Sequence, residues 1–187
     1  IGTYTTNNNS ISNITISNTS GANANVYLLR AYSKNYQTTW TCNNNIIGGT
    51  AANSINCQNY HWVHGIFFSW GTSISASGNT IQNITSAYSG IHGIKEQSDA
   101  GGATTSSTYS CNTIKTIKCL SGQVNGILLD GGNSTNNLIE RNLIYDLNGV
   151  TVTAINHSNS RSPFTDVIRN NMIALGNSVA TSTTRGI

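Results

Sequence analysis

The 187-residue chain has few charged residues, a single proline and no long apolar run. Charged residues make up 8 %, and nine Lys and Arg against six Asp and Glu give a net charge of +3. The positive balance therefore reflects a scarcity of acids and not a basic cluster, which argues against nucleic acid as a partner. No apolar stretch approaches the roughly 18 residues that a membrane span requires, so we expect none.

Small and amide-bearing polar residues take the place of the missing charges. Together 28 Asn, 24 Thr, 23 Ser and 18 Gly account for half of the chain, while Ile recurs throughout and 37 % of the residues are apolar. That apolar content is enough to bury a core, unlike a disordered polar tract. No linker-like shift divides the sequence, so we expect residues 1–187 to form a single segment, and we expect that segment to be a piece of a longer repeat protein.

A phrase of the form Asn-x-Ile returns along the chain at intervals of about 30 residues. Its first residues are Asn9, Asn44, Asn79, Asn112 and Asn137, followed by a variant that begins at Asp166 and ends at Ile168. We expect these Asn side chains to stack as a structural ladder, and the matching Ile81, Ile114, Ile139 and Ile168 to form a buried column. A second mark, Gly-Ile, closes the units, as in Gly65-Ile66 and Gly93-Ile94.

Short alternating stretches such as Ile14-Thr15-Ile16 fit strands, and no helical periodicity persists for three turns. Units of this size, each with three short strands joined by Asn, Gly and Ser turns, are typical of one coil of a parallel β-solenoid. We therefore predict an all-β chain of about six coils, each of roughly 30 residues.

Two stretches, Asn137 to Leu147 and Val167 to Gly176, resemble the right-handed parallel β-helix repeats of large secreted Bacteroidetes surface proteins. The phrase Asn-Asn-Met-Ile-x-Leu-Gly is the most specific part of the resemblance. Such chains carry a type IX secretion sorting domain and act as adhesins or surface filaments. The resemblance thus implies an extracellular location, and as partners it implies flanking coils, neighbouring copies, surface glycans or the secretion machinery.

Enzymes with a β-helix fold place carboxylates on one exposed strand face, so an enzymatic function requires such a cluster. In the register of the Gly-Ile mark, Glu96, Asp130 and His157 fall near one another on neighbouring coils. Six acids in the entire chain leave little freedom to build both a general acid and a base. We therefore expect a non-enzymatic protein without a cofactor, with these three residues as weak catalytic candidates.

Nine of the 14 aromatic residues lie between positions 27 and 70. If several are exposed, they form a surface for glycans or proteins, and the candidate ligand-binding residues are Trp40, Trp62, Phe68 and Trp70. The alternative is that the insertions at 20–45 and 50–64 fold back and bury these rings.

His64 and His92 occupy the same place in successive units, which favours a stacked pair over a metal site, because no cysteine or carboxylate completes a ligand set. The four cysteines form an even set without a metal-binding spacing. An extracellular chain of this composition favours disulfides, and we expect the local pairs Cys42–Cys57 and Cys111–Cys119, with four buried reduced thiols as the alternative.

The sequence thus predicts a structural or adhesive segment of a secreted bacterial surface protein. The competing functions are a polysaccharide-degrading enzyme and a carbohydrate-binding protein, both of which occur on solenoid folds.

Overall fold

A computed structural model describes residues 2–17, 25–33, 38–58, 62–88, 90–97, 106–130, 136–158, 165–175 and 183–187. Strands and turns, without a helix, make up this part of the chain. In these ranges no helix is long and apolar enough to cross a membrane.

The strands follow one another around six coils. The first coil holds β1 (Gly2–Asn7), β2 (Ser10–Ile11), β3 (Ile14–Ile16) and β4 (Val26–Tyr32). The second holds β5 (Thr38–Asn43), β6 (Ile46–Ile47), β7 (Ile55–Cys57) and β8 (Val63–Ser69). The third holds β9 (Ser73–Ser77), β10 (Thr80–Ser86) and β11 (Ile91–Gln97), and the fourth holds β12 (Ser106–Ser110), β13 (Thr113–Cys119) and β14 (Gln123–Asp130). The last two coils hold β15 (Asn136–Glu140), β16 (Leu143–Asn148), β17 (Thr151–His157), β18 (Thr165–Arg169), β19 (Met172–Ala174) and β20 (Thr183–Arg185).

Equivalent strands of successive coils pair in parallel and build three sheets. Sheet 1 has the order β1-β5-β9-β12-β15-β18, and sheet 3 has the order β4-β8-β11-β14-β17-β20. Sheet 2 runs β2-β6-β10-β13-β16-β19, with β3 and β7 continuing its first two coils. The prediction of an all-β parallel solenoid is confirmed.

Isoleucine columns fill the interior, as expected, but one of them follows a different register from the predicted one. In sheet 2, Ile81 and Ile114 are paired and both are fully buried. The column continues through Ile144 and Ile173. The predicted placement of Ile139 and Ile168 in this column was wrong, because they pair with each other in sheet 1, where Ile139 is fully buried and Ile168 packs against the core. The phrase Asn-x-Ile occurs both at β15 and at the start of β16, so the pattern alone does not show which of the two strands continues the column of Ile81 and Ile114.

The asparagine ladder exists and runs through all six coils at the corner between sheets 1 and 2. From Asn45 onward, each side-chain oxygen accepts hydrogen bonds from the backbone and side-chain nitrogens of the asparagine one coil earlier, at 2.9 to 3.0 Å. Its members are Asn9, Asn45, Asn79, Asn112, Asn142 and Asn171.

Two predicted ladder positions, Asn44 and Asn137, were wrong. Asn44 precedes the ladder residue and has a left-handed backbone with φ of 56°, a conformation that asparagine tolerates better than most residues. Asn8, Gly78, Cys111, Arg141 and Asn170 hold the same place and conformation in the other coils. Asn137 lies in sheet 1 and bonds to Asp166 instead.

Close packing between sheets 2 and 3 explains the Gly-Ile mark. A Cβ atom on Gly93 would lie 2.6 Å from the carbonyl oxygen of Gly126 and 2.8 Å from Cγ2 of Ile114. The next residue, Ile94, is fully buried and pairs with Ile66 and Ile127 in sheet 3. Glycine therefore lets the coils approach each other, and the isoleucine after it fills the core.

Candidate functional site

The outer face of sheet 3 carries a ladder of stacked rings that starts at β4. Tyr27, His64 and His92 occupy the same register on three successive coils. The rings of Tyr27 and His64 stack at 5.0 Å between centroids, and those of His64 and His92 stack at 5.1 Å. The predicted histidine stack is confirmed, although both side chains are buried and do not lie on an open surface.

Trp62 extends this ladder from the turn that precedes β8. Its indole stacks on His92 at 5.0 Å with an interplanar angle of 12°. The Nδ1 atom of His92 accepts a hydrogen bond from the side-chain nitrogen of Asn125, one coil further along, at 3.1 Å. An amide nitrogen can only donate, so His92 is held as the neutral tautomer with its proton on Nε2.

Burial keeps both histidines uncharged. It lowers the pKa of His64 to about 3, with a smaller contribution from the positive charge of Lys95. Burial, together with smaller contributions from His64 and Lys95, lowers the pKa of His92 to about 2. The ring ladder therefore offers a neutral, aromatic surface at physiological pH and no general acid.

A shallow cleft of about 270 Å³ lies beside the ladder. Its lining residues combine rings, amides and one ion pair: Asn25, Trp62, His64, His92, Lys95, Gln123, Leu128 and Asp130. Lys95 Nζ lies 3.1 Å from Asp130 Oδ2, and the Asp130 side chain is 49 % exposed. The arrangement supplies stacking surface and hydrogen-bonding groups, which are the means of holding a polar ligand.

The three catalytic candidates do not come together. Glu96 points into the core, where it is buried and accepts hydrogen bonds from Ser107 Oγ at 2.8 Å and Tyr109 Oη at 2.6 Å. Along the strand the next residue, Gln97, pairs with Asp130, so alternation puts Asp130 on the opposite side of sheet 3 from Glu96. The expectation that these two weak candidates lie near one another on one face was wrong.

The third candidate, His157 on β17, contacts Asp166 on β18, the strand that follows it along the chain. Its Nε2 atom lies 2.8 Å from Asp166 Oδ2, and both side chains are mostly buried. His157 shares the register of Glu96 through Leu129, which lies between them. No solvent-open acid or base pair results from this column.

The predicted ligand-binding aromatics fall into two groups. Trp40 and Phe68 are buried in the core, so the prediction was wrong for these two residues. Trp40 packs on Tyr4 at 5.0 Å and donates to the carbonyl oxygen of Trp70 at 3.3 Å. Trp70 is half-buried, whereas Trp62 is 39 % exposed and lines the cleft.

All four cysteines are free thiols, so the predicted disulfides Cys42–Cys57 and Cys111–Cys119 were wrong. Cys42 faces the core from sheet 1 and Cys57 from the far end of sheet 2, and Cys119 is also buried. Cys111 takes the exposed left-handed turn position beside the asparagine ladder. The predicted partners thus lie on different faces of the coil.

Sequence reasoning missed Gln123, Lys95 and Gly90 as parts of this region. The only signal was their place beside the Gly-Ile mark and the turn before each strand of sheet 3. Within the described residues no group of three or more His, Cys, Asp or Glu side chains could hold a metal ion. Comparison with protein-family models, curated proteins and solved structures finds no match for the chain.

Proposed function

We propose that this chain is a stiff, non-enzymatic segment of a secreted bacterial surface protein, where it serves adhesion. The observation that carries the proposal is the asparagine ladder, which links all six coils by side-chain hydrogen bonds along the axis. A ladder of this kind adds side-chain bonds to the backbone pairing between coils, and solenoids built in this way act as extended scaffolds.

The occupation of the acidic side chains supports a non-enzymatic role. Glu96 is satisfied inside the core, and Asp130 is paired with Lys95. General acid–base chemistry needs a group within reach of a substrate, and a buried carboxylate that accepts two internal hydrogen bonds does not offer one. The polysaccharide-degrading alternative therefore has little support in the described residues.

Exposed rings and amides on the side of the solenoid support the adhesive part of the proposal. Trp62 and Tyr88 are exposed by 39 % and 49 %, and they lie on neighbouring coils. A contact made by two exposed rings is weak by itself, but several copies of the chain on one surface increase the total avidity. Flanking coils of the parent chain, neighbouring copies and surface glycans are the partners we propose.

Retention of coated beads tests this proposal. We expect beads carrying the chain to stay under flow on surfaces coated with polysaccharide or with extracellular protein, and to detach from uncoated surfaces. Equal detachment from every coated and uncoated surface would contradict an adhesive role.

A further inference from the structure

A second cleft, which we name the corner cleft, lies where sheet 2 turns into sheet 3. It has a volume of about 390 Å³. Its lining residues are Trp62, Tyr88, Gly90, Ser121, Gly122, Gln123, Val150 and Thr151. Trp62 and Gln123 also line the smaller cleft on sheet 3, so the two clefts are neighbours. None of the residues that line the corner cleft is charged.

The corner cleft follows the axis of the solenoid. Trp62, Tyr88, Ser121 and Val150 lie in equivalent turns on four successive coils, between the sheet 2 and sheet 3 strands. At a spacing of about 4.8 Å per coil, this row is about 14 Å long. A chain-like ligand can therefore lie along it and contact several coils.

Packing fixes the orientation of the exposed indole. His92 covers one face of Trp62, and Gly90 packs closely against its six-membered ring. A Cβ atom on Gly90 would lie 2.0 Å from Cζ3 of Trp62, so any larger residue there displaces the indole. A ring that is already held in place loses little conformational entropy when a ligand stacks on it.

Uncharged polar groups stand beside the ring. Ser121 Oγ donates to the carbonyl oxygen of Ala87 at 2.9 Å, which leaves its oxygen lone pairs as acceptors. Gln123 and Thr151 add an amide and a hydroxyl to the lining. Such groups both donate and accept hydrogen bonds, as sugar hydroxyls do.

We propose that the corner cleft binds an uncharged glycan, with a sugar ring stacked on Trp62 and sugar hydroxyls bonded to Gln123, Ser121 and Thr151. The proposal rests on the adhesive function above and names its ligand class. Exposed, rigid aromatic rings combined with uncharged donors and acceptors match a ring that has apolar faces and a polar edge. A lining without charge favours neutral over acidic polysaccharides.

Calorimetric titration with neutral glucan and mannan oligosaccharides, and with acidic oligogalacturonate, tests the proposal. We expect the neutral oligosaccharides to bind. We expect Trp62→Ala to weaken their affinity by about tenfold or more, because the stacking surface is lost. We expect a loss of similar size for Gly90→Ala, since this variant retains the indole but moves it. Gly186→Ala is the matched control, because no atom lies within 4 Å of the added Cβ and affinity should not change. Circular dichroism and thermal unfolding verify that each variant folds.

Three results would overturn the proposal. The first is equal binding of neutral oligosaccharides by all variants. The second is binding of oligogalacturonate alone. The third is absence of binding by any neutral oligosaccharide; concentration-dependent self-association that Trp62→Ala abolishes would then make a second copy of the chain the occupant. Bead retention on protein-coated surfaces in that case would leave the adhesive function standing, so the two proposals fail separately.

Discussion

The side-chain oxygen of Asn112 accepts two hydrogen bonds from Asn79, one from the backbone nitrogen at 3.0 Å and one from the side-chain nitrogen at 2.9 Å. Asn79 also donates to the carbonyl oxygen of Cys42 at 2.8 Å and accepts both bonds from Asn45. All four hydrogen-bonding positions of this fully buried amide are thus used. Among side chains of this length, only asparagine carries both an oxygen that accepts two hydrogen bonds and a nitrogen that donates two.

The ladder predicts effects of very different size for substitutions of two adjacent asparagines. Asn45→Ala leaves the backbone nitrogen of Asn9 and other buried groups without partners, and we expect it to lower the free energy of unfolding by about 2–4 kcal/mol. Asn44→Gly keeps the left-handed backbone at an exposed site and should change the free energy of unfolding by less than about 0.5 kcal/mol. Urea denaturation measures both variants, and equal losses would refute the assignment of Asn45 to the ladder.

The buried histidines predict acid-sensitive stability. His64 and His92 have ordinary pKa values near 6.5 in the unfolded chain, and the fold lowers these pKa values to about 3 and about 2. Below pH 6.5 the unfolded state therefore binds more protons, so stability falls as pH decreases from about 6.5 towards 3. Each histidine contributes up to about 1.4 kcal/mol per pH unit in this window.

A matched variant isolates this effect from other acid-sensitive contacts. Asn125 occupies the histidine column on the next coil, so His92→Asn places a residue there that the column already accepts. The variant should show a shallower loss of stability between pH 6.5 and 4 than the unsubstituted chain in a series of denaturation curves. Identical slopes would mean that His92 is protonated in the folded state.

Glu96 and Tyr109 form a buried pair whose two groups depend on each other. Burial, and the nearby Glu96 carboxylate, raise the pKa of Tyr109 well above its usual value, so the phenol remains a donor. Tyr109→Phe removes that donor and should cost about 1–3 kcal/mol. Tyr4→Phe, at a side chain that is 54 % exposed, should be silent.

A double-mutant cycle tests the Glu96–Tyr109 pair directly. Once Glu96→Leu has removed the buried acceptor of the Tyr109 hydroxyl, Tyr109→Phe no longer leaves that acceptor with fewer partners, so the second substitution should cost less. Strict additivity of the two free-energy changes would show that the residues do not interact.

The thiols provide a chemical test of the corrected cysteine assignment. Burial raises the pKa of Cys42 to about 12 and that of Cys57 to about 11, and it also raises the pKa of Cys119. A thiol-reactive dye should therefore label Cys111 quickly in the native protein and all four cysteines after denaturation without reductant. If no thiol reacts after denaturation, the disulfide prediction is restored.

Regular marks in the sequence predicted the repeating part of the fold well. The Gly-Ile marks at residues 65–66, 93–94 and 126–127 identify strands of sheet 3, since the glycine allows close approach and the isoleucine fills the core, as Gly93 and Ile94 do. The Asn-x-Ile mark was ambiguous, because Asn44 and Asn45 both fit it and because Asn137 repeats the phrase on another strand. Ladder positions differ from these only by the left-handed residue before them, which composition does not reveal.

The candidate site was harder to predict because it depends on contacts between distant positions. The contact between Trp62 and Gly90 joins residues on different coils, and an insertion of variable length hides their register. Aromatic residues also fit inside this solenoid, as Phe68 and Trp40 do, so aromatic content alone did not separate core from surface. Glu96 looked like a surface acid, although its partner Tyr109 lies on the next coil inside the core.

An assay for polysaccharide cleavage tests the central functional claim most directly. The chain is incubated with a broad panel of neutral and acidic polysaccharides, and new reducing ends and unsaturated sugars are measured, with Glu96→Gln and Asp130→Asn as matched variants. We predict no product above the buffer background for any of the three proteins, because these carboxylates are engaged in structural contacts. Product formation by the unsubstituted chain that either variant abolishes would contradict the account and establish an enzyme.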